Sequence, residues 1–242
     1  MTRQLHLPIR LRDPASLENY FQGRNEEAFF ALTQWLDRDT DDPVLFFYGV
    51  PGSGCSHLLQ AACRFVSDNN EIGVYVPVGD PSIRREFIGQ LNPDSTVCID
   101  DLDRVAGDEH WEEAILEVYE RLMLANGRLL FSALQPPLAL GLKLPDLATR
   151  LTAGGVYRIQ PLTEYELPQA MQLRARHRGL ELPHEVIQYL LRRVSRNSTV
   201  IFDLLDCIDE ASFANKRRLT VPFIREFEKE HEWFSHKTGV PK

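Results

Sequence analysis

Short apolar runs alternate with longer amphipathic stretches along the first part of the chain. Short apolar runs bounded by turn residues are typical of buried strands, whereas apolar residues at helical spacing are typical of amphipathic helices. The predicted strands are Val44–Tyr48, Gly73–Val78, Thr96–Ile99 and Leu129–Phe131, and the predicted helices are Asn25–Leu36, Ser56–Val66 and Glu109–Ala125. Because strands that alternate with helices pair in parallel, the pattern predicts an α/β fold in which helices flank a parallel sheet.

Beyond Leu162 the strand-like runs stop and helical spacing continues. The stretch Thr163-Glu164-Tyr165-Glu166 predicts a capping box that opens a helix to about His177, with Pro168 delaying its first turn. Three further helices are predicted at Pro183–Val194, Thr199–Ala214 and Val221–Trp233. The chain is therefore divided into an extended tail at 1–14, an α/β domain at 15–161, and a helical domain with a charged C-terminal tail at 162–242.

The composition is that of a soluble globular protein, with 43% hydrophobic and 26% charged residues. A net charge of -8 argues against a sequence-independent grip on DNA, which needs a surplus of Lys and Arg. The basic clusters Arg174–Arg178 and Arg192–Arg193 are interpreted as solvated faces. The four cysteines form no CxxC pair, and the chain has neither a signal-like N-terminus nor a membrane-spanning apolar run, so we expect a cytoplasmic protein.

The stretch Gly49–Ser56 lies between a predicted strand and a predicted helix, as a phosphate-binding loop does. Its glycines let backbone N–H groups converge on a phosphate, and the helix N-terminus adds its dipole. Cys55 stands where the pattern G-x-x-x-x-G-K-[ST] has its lysine, whereas Ser56 keeps the hydroxyl that would hold Mg²⁺. Loss of the lysine removes a contact worth about 1.5–3 kcal/mol, so we expect binding to outlast turnover. A glycine-rich turn without a ligand is the alternative.

Two aspartates, Asp100 and Asp101, follow the apolar strand at Thr96–Ile99. We predict that Asp100 serves Mg²⁺ together with Ser56, and that Asp101 faces the nucleotide. Strands often end in Asp by chance, which is the alternative interpretation. The loop residues predicted to contact nucleotide are Gly49, Pro51, Gly52, Ser53, Gly54, Cys55, Ser56 and His57.

The chain resembles the AAA+ domain of the Hda/DnaA family of bacterial replication proteins, and most of all its Hda branch. The stretches that carry the resemblance are Leu17–Phe21 with Gly23 and Asn25, Ile99–Asp103 with Ala106 and Gly107, Leu144–Leu151, and Arg218–Phe223. The resemblance implies an AAA+ sheet followed by a small helical lid domain, with ADP as the bound nucleotide. It also implies that Tyr20 and Phe21 lie beside the nucleotide base, although both could simply anchor their segment to the core.

The same resemblance allows two further polar contacts to ATP to be checked by position. The sensor after the aspartate pair falls in Ser132–Gln135, where Leu134 stands in place of a polar residue. Thr199 occupies the position where the family has a lid-domain arginine that touches the nucleotide's phosphates, and Arg196 lies one turn earlier. Three contacts are thus lost or replaced, counting Cys55, which indicates that hydrolysis of its own ATP is not the task of this chain.

Arg150 is present where AAA+ assemblies place an arginine finger that reaches a neighbouring subunit's ATP. The resemblance therefore implies a catalytic role in trans, on ATP bound to DnaA. A surface arginine or a helix-end cap is the alternative.

The N-terminal residues resemble the short peptide by which replication proteins bind the β sliding clamp. A glutamine would fix the register and apolar side chains would fill a groove, which assigns the contact to Gln4, Leu5, Leu7, Pro8 and Ile9. The implied partners are DnaA and the clamp, with DNA reached only through the clamp. The sequence leaves open self-association, and it leaves an active ATPase such as a helicase loader, or a nucleotide-free scaffold, as competing functions.

Overall fold

The computed structural model describes residues 15–193, 198–215 and 217–230. The predicted clamp-binding residues, Arg196 and the end of the charged tail lie outside these ranges. The strands are β1 (Val44–Tyr48), β2 (Gly73–Pro77), β3 (Thr96–Asp100), β4 (Arg128–Ala133) and β5 (Gly155–Arg158). The helices are α1 (Glu26–Leu36), α2 (Cys55–Asp68), α3 (Arg85–Ile88), α4 (Glu109–Leu124), α5 (Pro145–Ala153), α6 (Leu167–His177), α7 (His184–Arg193), α8 (Ser198–Asn215) and α9 (Val221–Glu230).

The five strands form one parallel sheet in the order β2-β3-β4-β1-β5. The predicted parallel α/β sheet is therefore confirmed. Because all strands run the same way, the loops that follow β1, β3 and β4 meet at one edge of the sheet. These loops hold the glycine-rich stretch, Asp101 and Leu134, and Asp100 is the last residue of β3.

Alternate residues of the buried strands pack on opposite faces of the sheet, as the period of a strand requires. Phe46 and Phe131 lie opposite each other in neighbouring strands and enter one core, together with Ile115 of α4. Phe47 and Leu130 face the other core, which α1 and α2 cover. Helices α6 to α9 enclose a separate cluster of apolar side chains that the sheet does not share. No helix in the described part of the chain is long and apolar enough to cross a membrane.

Three elements escaped prediction, namely α3, α5 and the edge strand β5. Residues Gly155–Arg158 of β5 are only partly buried or exposed, so they lack the continuous apolar run by which a central strand is recognised. Helix α5 starts with Pro145 at its first turn, where a proline is well tolerated. The predicted capping box is confirmed, because Thr163 N donates to Glu166 Oε2 (2.7 Å) and Glu166 N to Thr163 Oγ1 (3.3 Å).

A candidate nucleotide site between the sheet edge and the helical domain

The glycine-rich loop connects β1 to α2 and turns through two left-handed glycines. Gly52 has φ 81° and Gly54 has φ 107°, a region that residues with a side chain rarely enter. A Cβ on Gly54 would also lie 3.1 Å from the ring of Tyr20. The N–H of Gly49 donates to the carbonyl of Ala133 (3.1 Å), which ties the start of the loop to β4. The sequence therefore builds the compact turn that a phosphate-binding loop requires.

A cavity of about 260 Å³ opens above this loop and is closed on its far side by α6 and α8. Every residue predicted to contact nucleotide lines it, namely Tyr20, Phe21, Gly49, Pro51, Gly52, Ser53, Gly54, Cys55, Ser56, His57 and Asp101. The structure thus brings together residues that come from three separate parts of the sequence. Nucleotide contact by these residues stays a prediction.

Cys55 occupies the first position of α2, at the place of the missing lysine. Its Sγ lies 3.4 Å from Ser53 Oγ. Burial is the largest cause that raises the pKa of the Cys55 thiol to about 12, and the carboxylates of Asp100 and Asp101 add to the shift. The side chain is therefore a neutral thiol at physiological pH, without the positive charge that a lysine would supply.

The two aspartates separate in the structure. Asp100 is only 2% exposed, and its carboxylate accepts hydrogen bonds from the hydroxyls of Tyr75 (2.5 Å) and Ser132. It lies beneath the cavity and is not among the residues that line it. Asp101 adopts a left-handed conformation (φ 61°) and lines the cavity. Burial, followed by the charges of Asp100 and Asp103, raises the pKa of Asp101.

The predicted magnesium site is not tested by these contacts. Ser56 is exposed at the start of α2 and lines the cavity, whereas both oxygens of Asp100 already accept hydrogen bonds. Within the described residues, no three His, Cys, Asp or Glu side chains group closely enough to hold a metal ion. Asp101 is therefore better placed than Asp100 to face a cation that accompanies a bound phosphate.

The sensor position contributes backbone rather than a polar side chain. Leu134 N donates to Asp103 Oδ1 (3.0 Å), and its apolar side chain lines the cavity. Ser132, the nearby hydroxyl, is turned toward the aspartates: it donates to Asp100 and accepts from the N–H of Asp101 (3.2 Å). Ser132 therefore supports the loop that carries Asp101.

Tyr20 forms the wall of the cavity where the nucleotide base is predicted to lie. Its ring stacks on Phe29 at 5.8 Å, and its hydroxyl accepts a hydrogen bond from Asn25 Nδ2 (3.0 Å). The ring of His57 lies 5.5 Å from that of Tyr20, and its Nε2 lies 3.1 Å from the carbonyl oxygen of Ser16. Tyr20 thus anchors its segment and lines the cavity at once, so the two interpretations are compatible.

The helical domain reaches the loop through the first turn of α8. Ser198 Oγ donates to the carbonyl oxygen of Gly52 (2.6 Å), and Thr199 lines the cavity beside it. Ala170 and Arg174, one turn apart on α6, line it as well. The interpretation of Arg174 as part of a solvated face is wrong, since its side chain is only 16% exposed. Its position three residues after the buried Met171 was the available signal.

Arg150 lies on α5 and is not among the residues that line this chain's own cavity. Its Nε contacts Asp146 Oδ2 (2.9 Å), its Nη2 contacts Glu120 Oε1 (3.0 Å), and the guanidinium lies 5.5 Å over the ring of Tyr119. The side chain remains 32% exposed. Two carboxylates thus hold the guanidinium, one at Nε and one at Nη2.

Comparison with known proteins agrees with this architecture. Residues 164–227 match the family model described as "Hda, lid domain". The fold is similar to domain III of the Thermotoga maritima replication initiation protein DnaA, with a TM-score of 0.72 and 18% identity over 89% of this chain and 96% of that chain. AMPPCP-bound DnaA from Aquifex aeolicus matches with a TM-score of 0.64 and 22% identity, over 89% of this chain and 70% of that chain.

The Thermotoga maritima RuvB Holliday junction branch migration motor has the same fold, with a TM-score of 0.60 and 17% identity over 90% of this chain and 72% of that chain. At these identities the structural matches show the fold alone. Together with the lid-domain match, they confirm the predicted AAA+ sheet followed by a small helical lid domain.

Proposed function

Because this chain is an Hda/DnaA-like AAA+ protein, we propose that it is a negative regulator of replication initiation which stimulates hydrolysis of ATP bound to DnaA. In this proposal it holds a nucleotide, ADP, without hydrolysing ATP itself. Its N-terminal tail links it to the DNA-loaded β sliding clamp. Each part depends on a different group of residues, so each can be tested separately.

The placement of Arg150 is the observation that carries the proposal. The side chain is 32% exposed on α5, and it is not among the residues that line the chain's own cavity. An arginine supplied from a neighbouring subunit stabilises the charge that develops on a phosphoryl group in the transition state. Such arginine fingers raise the rate by about 10³–10⁵-fold. Arg150 would supply this charge to the ATP of DnaA.

The chain's own cavity is poorly equipped for the same reaction. Cys55 is a neutral thiol where lysine would contact the β and γ phosphates, and Leu134 and Thr199 replace two further polar contacts. The loop keeps the backbone geometry that would bind a phosphate, because its left-handed glycines and the start of α2 are in place. This combination supports retention of ADP, which would bridge the loop and the lid domain without being turned over.

Attachment to the clamp is assigned to Gln4, Leu5, Leu7, Pro8 and Ile9, which lie outside the described residues. An acidic chain of net charge -8 has little electrostatic attraction to DNA, so indirect recruitment is the economical arrangement. A tail that binds the clamp would place Arg150 near DnaA at high effective concentration.

The test is an ATP-hydrolysis assay with DnaA, this protein and clamp loaded on DNA. Arg150→Ala should abolish the stimulation while leaving clamp binding unchanged, whereas Gln4→Ala should weaken clamp binding. The matched control is Arg64→Ala, since Arg64 also makes an exposed ion pair four residues along a helix, with Asp68 at 3.6 Å. Undiminished stimulation by Arg150→Ala would overturn the proposal.

Two outcomes would favour the competing functions. Phosphate release by the purified chain alone, abolished by Asp101→Ala, would indicate an active ATPase. Failure of ADP to raise the unfolding temperature, together with normal stimulation of DnaA, would indicate that the cavity is a nucleotide-free part of a scaffold.

A further inference from the structure

The cavity contains a positive charge from the lid domain that no motif assigns. Within the described part of the chain, Arg174 is the one Lys or Arg side chain that lines the cavity. We infer that Arg174 binds the phosphates of the nucleotide and takes over the electrostatic role left vacant by Cys55. The inference rests on the proposed binding of nucleotide in this cavity, and it identifies the residue that makes such binding favourable.

The negative charges around the cavity explain why binding of a phosphate there would need a positively charged side chain. Asp101 enters it from the sheet edge and Asp203 from α8, so a bound phosphate would face two carboxylates. The N-terminus of α2 offers a partial charge of about half a unit, which does not offset the two carboxylates. Cys55 contributes no charge because its thiol is neutral. Among the described residues that line the cavity, Arg174 is the remaining source of a full positive charge.

The guanidinium of Arg174 is held by side chains of α8, the helix whose first turn contacts the loop. It lies 4.9 Å over the ring of Phe202, one turn beyond Ser198. Ser198 itself contacts the loop, through its hydrogen bond of 2.6 Å to the carbonyl of Gly52. Arg174 and the loop residues line the same cavity, so a phosphate seated on the loop would share that space with the guanidinium.

Arg174 can turn toward a phosphate without leaving a buried carboxylate unpaired. Its Nη2 lies 3.4 Å from Asp206 Oδ2, whereas Nη2 of Arg178 lies only 2.7 Å from Asp206 Oδ1. Arg178 also contacts Asp209 at 3.3 Å. Asp206 therefore keeps its closer cation when Arg174 moves. Arg178 does not line the cavity, so the two arginines share a carboxylate but differ in access to the ligand.

A purely structural role is the competing interpretation, in which Arg174 only holds α6 against α8. The two interpretations differ in what the ligand must contain. A phosphate-binding arginine matters for ADP and not for adenosine, whereas a structural arginine affects both ligands equally through the shape of the cavity.

The experiment is isothermal titration calorimetry of the full chain with ADP and with adenosine. Arg174→Gln should weaken ADP binding by about 10- to 100-fold, the loss expected for a charge-assisted contact, with adenosine affinity unchanged within about twofold. It should also reduce the dependence of ADP affinity on salt concentration, because an ionic contact is lost. Arg178→Gln, the matched control, should leave both the ADP-to-adenosine affinity ratio and the salt dependence as in the wild type.

Four results would overturn the inference. Wild-type affinity for ADP in Arg174→Gln would remove its basis while leaving the proposed nucleotide binding intact. An equal loss for ADP and adenosine, or the same loss in Arg178→Gln, would show a structural role. A wild-type chain that binds neither ligand would overturn the proposed nucleotide binding together with the inference, whereas stimulation of DnaA through Arg150 would still be open to its own assay.

Discussion

The hydroxyl of Ser198 donates a hydrogen bond of 2.6 Å to the carbonyl oxygen of Gly52, and so joins the start of α8 to the middle of the glycine-rich loop. The two residues are 146 positions apart in sequence. Gly52 can present its carbonyl in this direction because it adopts a left-handed conformation, with φ 81°. The position of the lid domain is thereby linked to the geometry of the loop.

Replacing this serine tests that link. Ser198→Ala removes a hydroxyl-to-carbonyl hydrogen bond and should lower the free energy of unfolding by about 0.5–1.5 kcal/mol. It should also weaken ADP binding several-fold, because the lid domain would no longer hold the loop. Chemical denaturation and titration calorimetry measure the two effects.

Ser67→Ala is the matched control for that experiment. Ser67 Oγ also donates to a backbone carbonyl, that of Cys63 at 2.9 Å, but within α2 alone. Ser67→Ala should lower the free energy of unfolding by the same amount as Ser198→Ala or less, and it should leave the affinity for ADP unchanged. Equal effects of both substitutions on ADP affinity would contradict a special role for the contact between Ser198 and the loop.

Asn25 connects Tyr20 in the cavity wall to the segment that leads into the lid domain. Its Nδ2 donates to Tyr20 Oη (3.0 Å) and to the carbonyl of Gln160 (3.0 Å), and its Oδ1 accepts from Gln160 N (2.7 Å). Asn25→Ala leaves these groups unpaired in a buried setting. It should lower the free energy of unfolding, measured by urea denaturation, by about 2–3 kcal/mol.

The control for Asn25 is Asn69→Ala at the end of α2. Asn69 is exposed and its Nδ2 donates only to the local carbonyl of Phe65 (2.9 Å). Its substitution should change stability by no more than about 0.5 kcal/mol. If both variants unfolded at the same urea concentration, the hydrogen bonds between Asn25 and Gln160 would make no measurable contribution to the free energy of unfolding.

Glu112 supports the segment that leads into α5 and Arg150. It is fully buried, and its carboxylate accepts hydrogen bonds from the backbone N–H groups of Gly107 (2.7 Å), Lys143 (3.1 Å) and Leu144 (2.8 Å). Glu112→Gln replaces an acceptor oxygen with a donor that faces N–H groups, so we expect the free energy of unfolding to fall by about 2–3 kcal/mol. The stimulation of DnaA that depends on Arg150 should fall as well.

Glu113→Gln serves as the comparison for Glu112, because the neighbouring Glu113 is 55% exposed and contacts only His110 on the same helix. Its stability and its stimulation of DnaA should stay at the wild-type level. Wild-type stimulation by a folded Glu112→Gln protein would show that the start of α5 does not need this anchor.

The sheet was predictable because its strands are continuous apolar runs between turn residues, and four of the five were found with ends within two residues of those observed. The loop was predictable because glycines at fixed spacing between a strand and a helix are a local signal. The edge strand β5 was missed because Gly155–Arg158 is only partly buried and short. Local pattern therefore predicts elements best where burial is complete.

The contacts that complete the site could not be read from the sequence in the same way. Asp100 and Asp101 are adjacent and chemically identical, and only the left-handed turn at Asp101 decides which one faces the cavity. Arg174 was assigned to solvent because it lies in an arginine-rich stretch. Its spacing from Met171 indicates that it lies near the buried face of α6, but its contacts with Phe202 and Asp206 of another helix depend on tertiary packing that local spacing does not specify.

The thiol of Cys55 provides a test that depends on pH rather than on a substitution. Burial raises the pKa of this thiol to about 12, whereas a free cysteine titrates near pH 8.5 and only the thiolate reacts with alkylating reagents. The shift is upward, so the neutral form persists throughout the physiological range. At pH 8.5 the folded protein should therefore be alkylated at Cys55 at least about 100-fold more slowly than glutathione.

Peptide mass spectrometry after timed reaction with iodoacetamide measures this rate at Cys55 separately from the other three cysteines. The rate should rise about tenfold per pH unit while the fold is intact, because the thiolate fraction does so below the pKa. The same chain unfolded in urea is the control, and its Cys55 should react like glutathione. Alkylation of the folded protein at the unfolded rate would show that the lysine position is held by a thiolate, and would remove the argument that this position is uncharged.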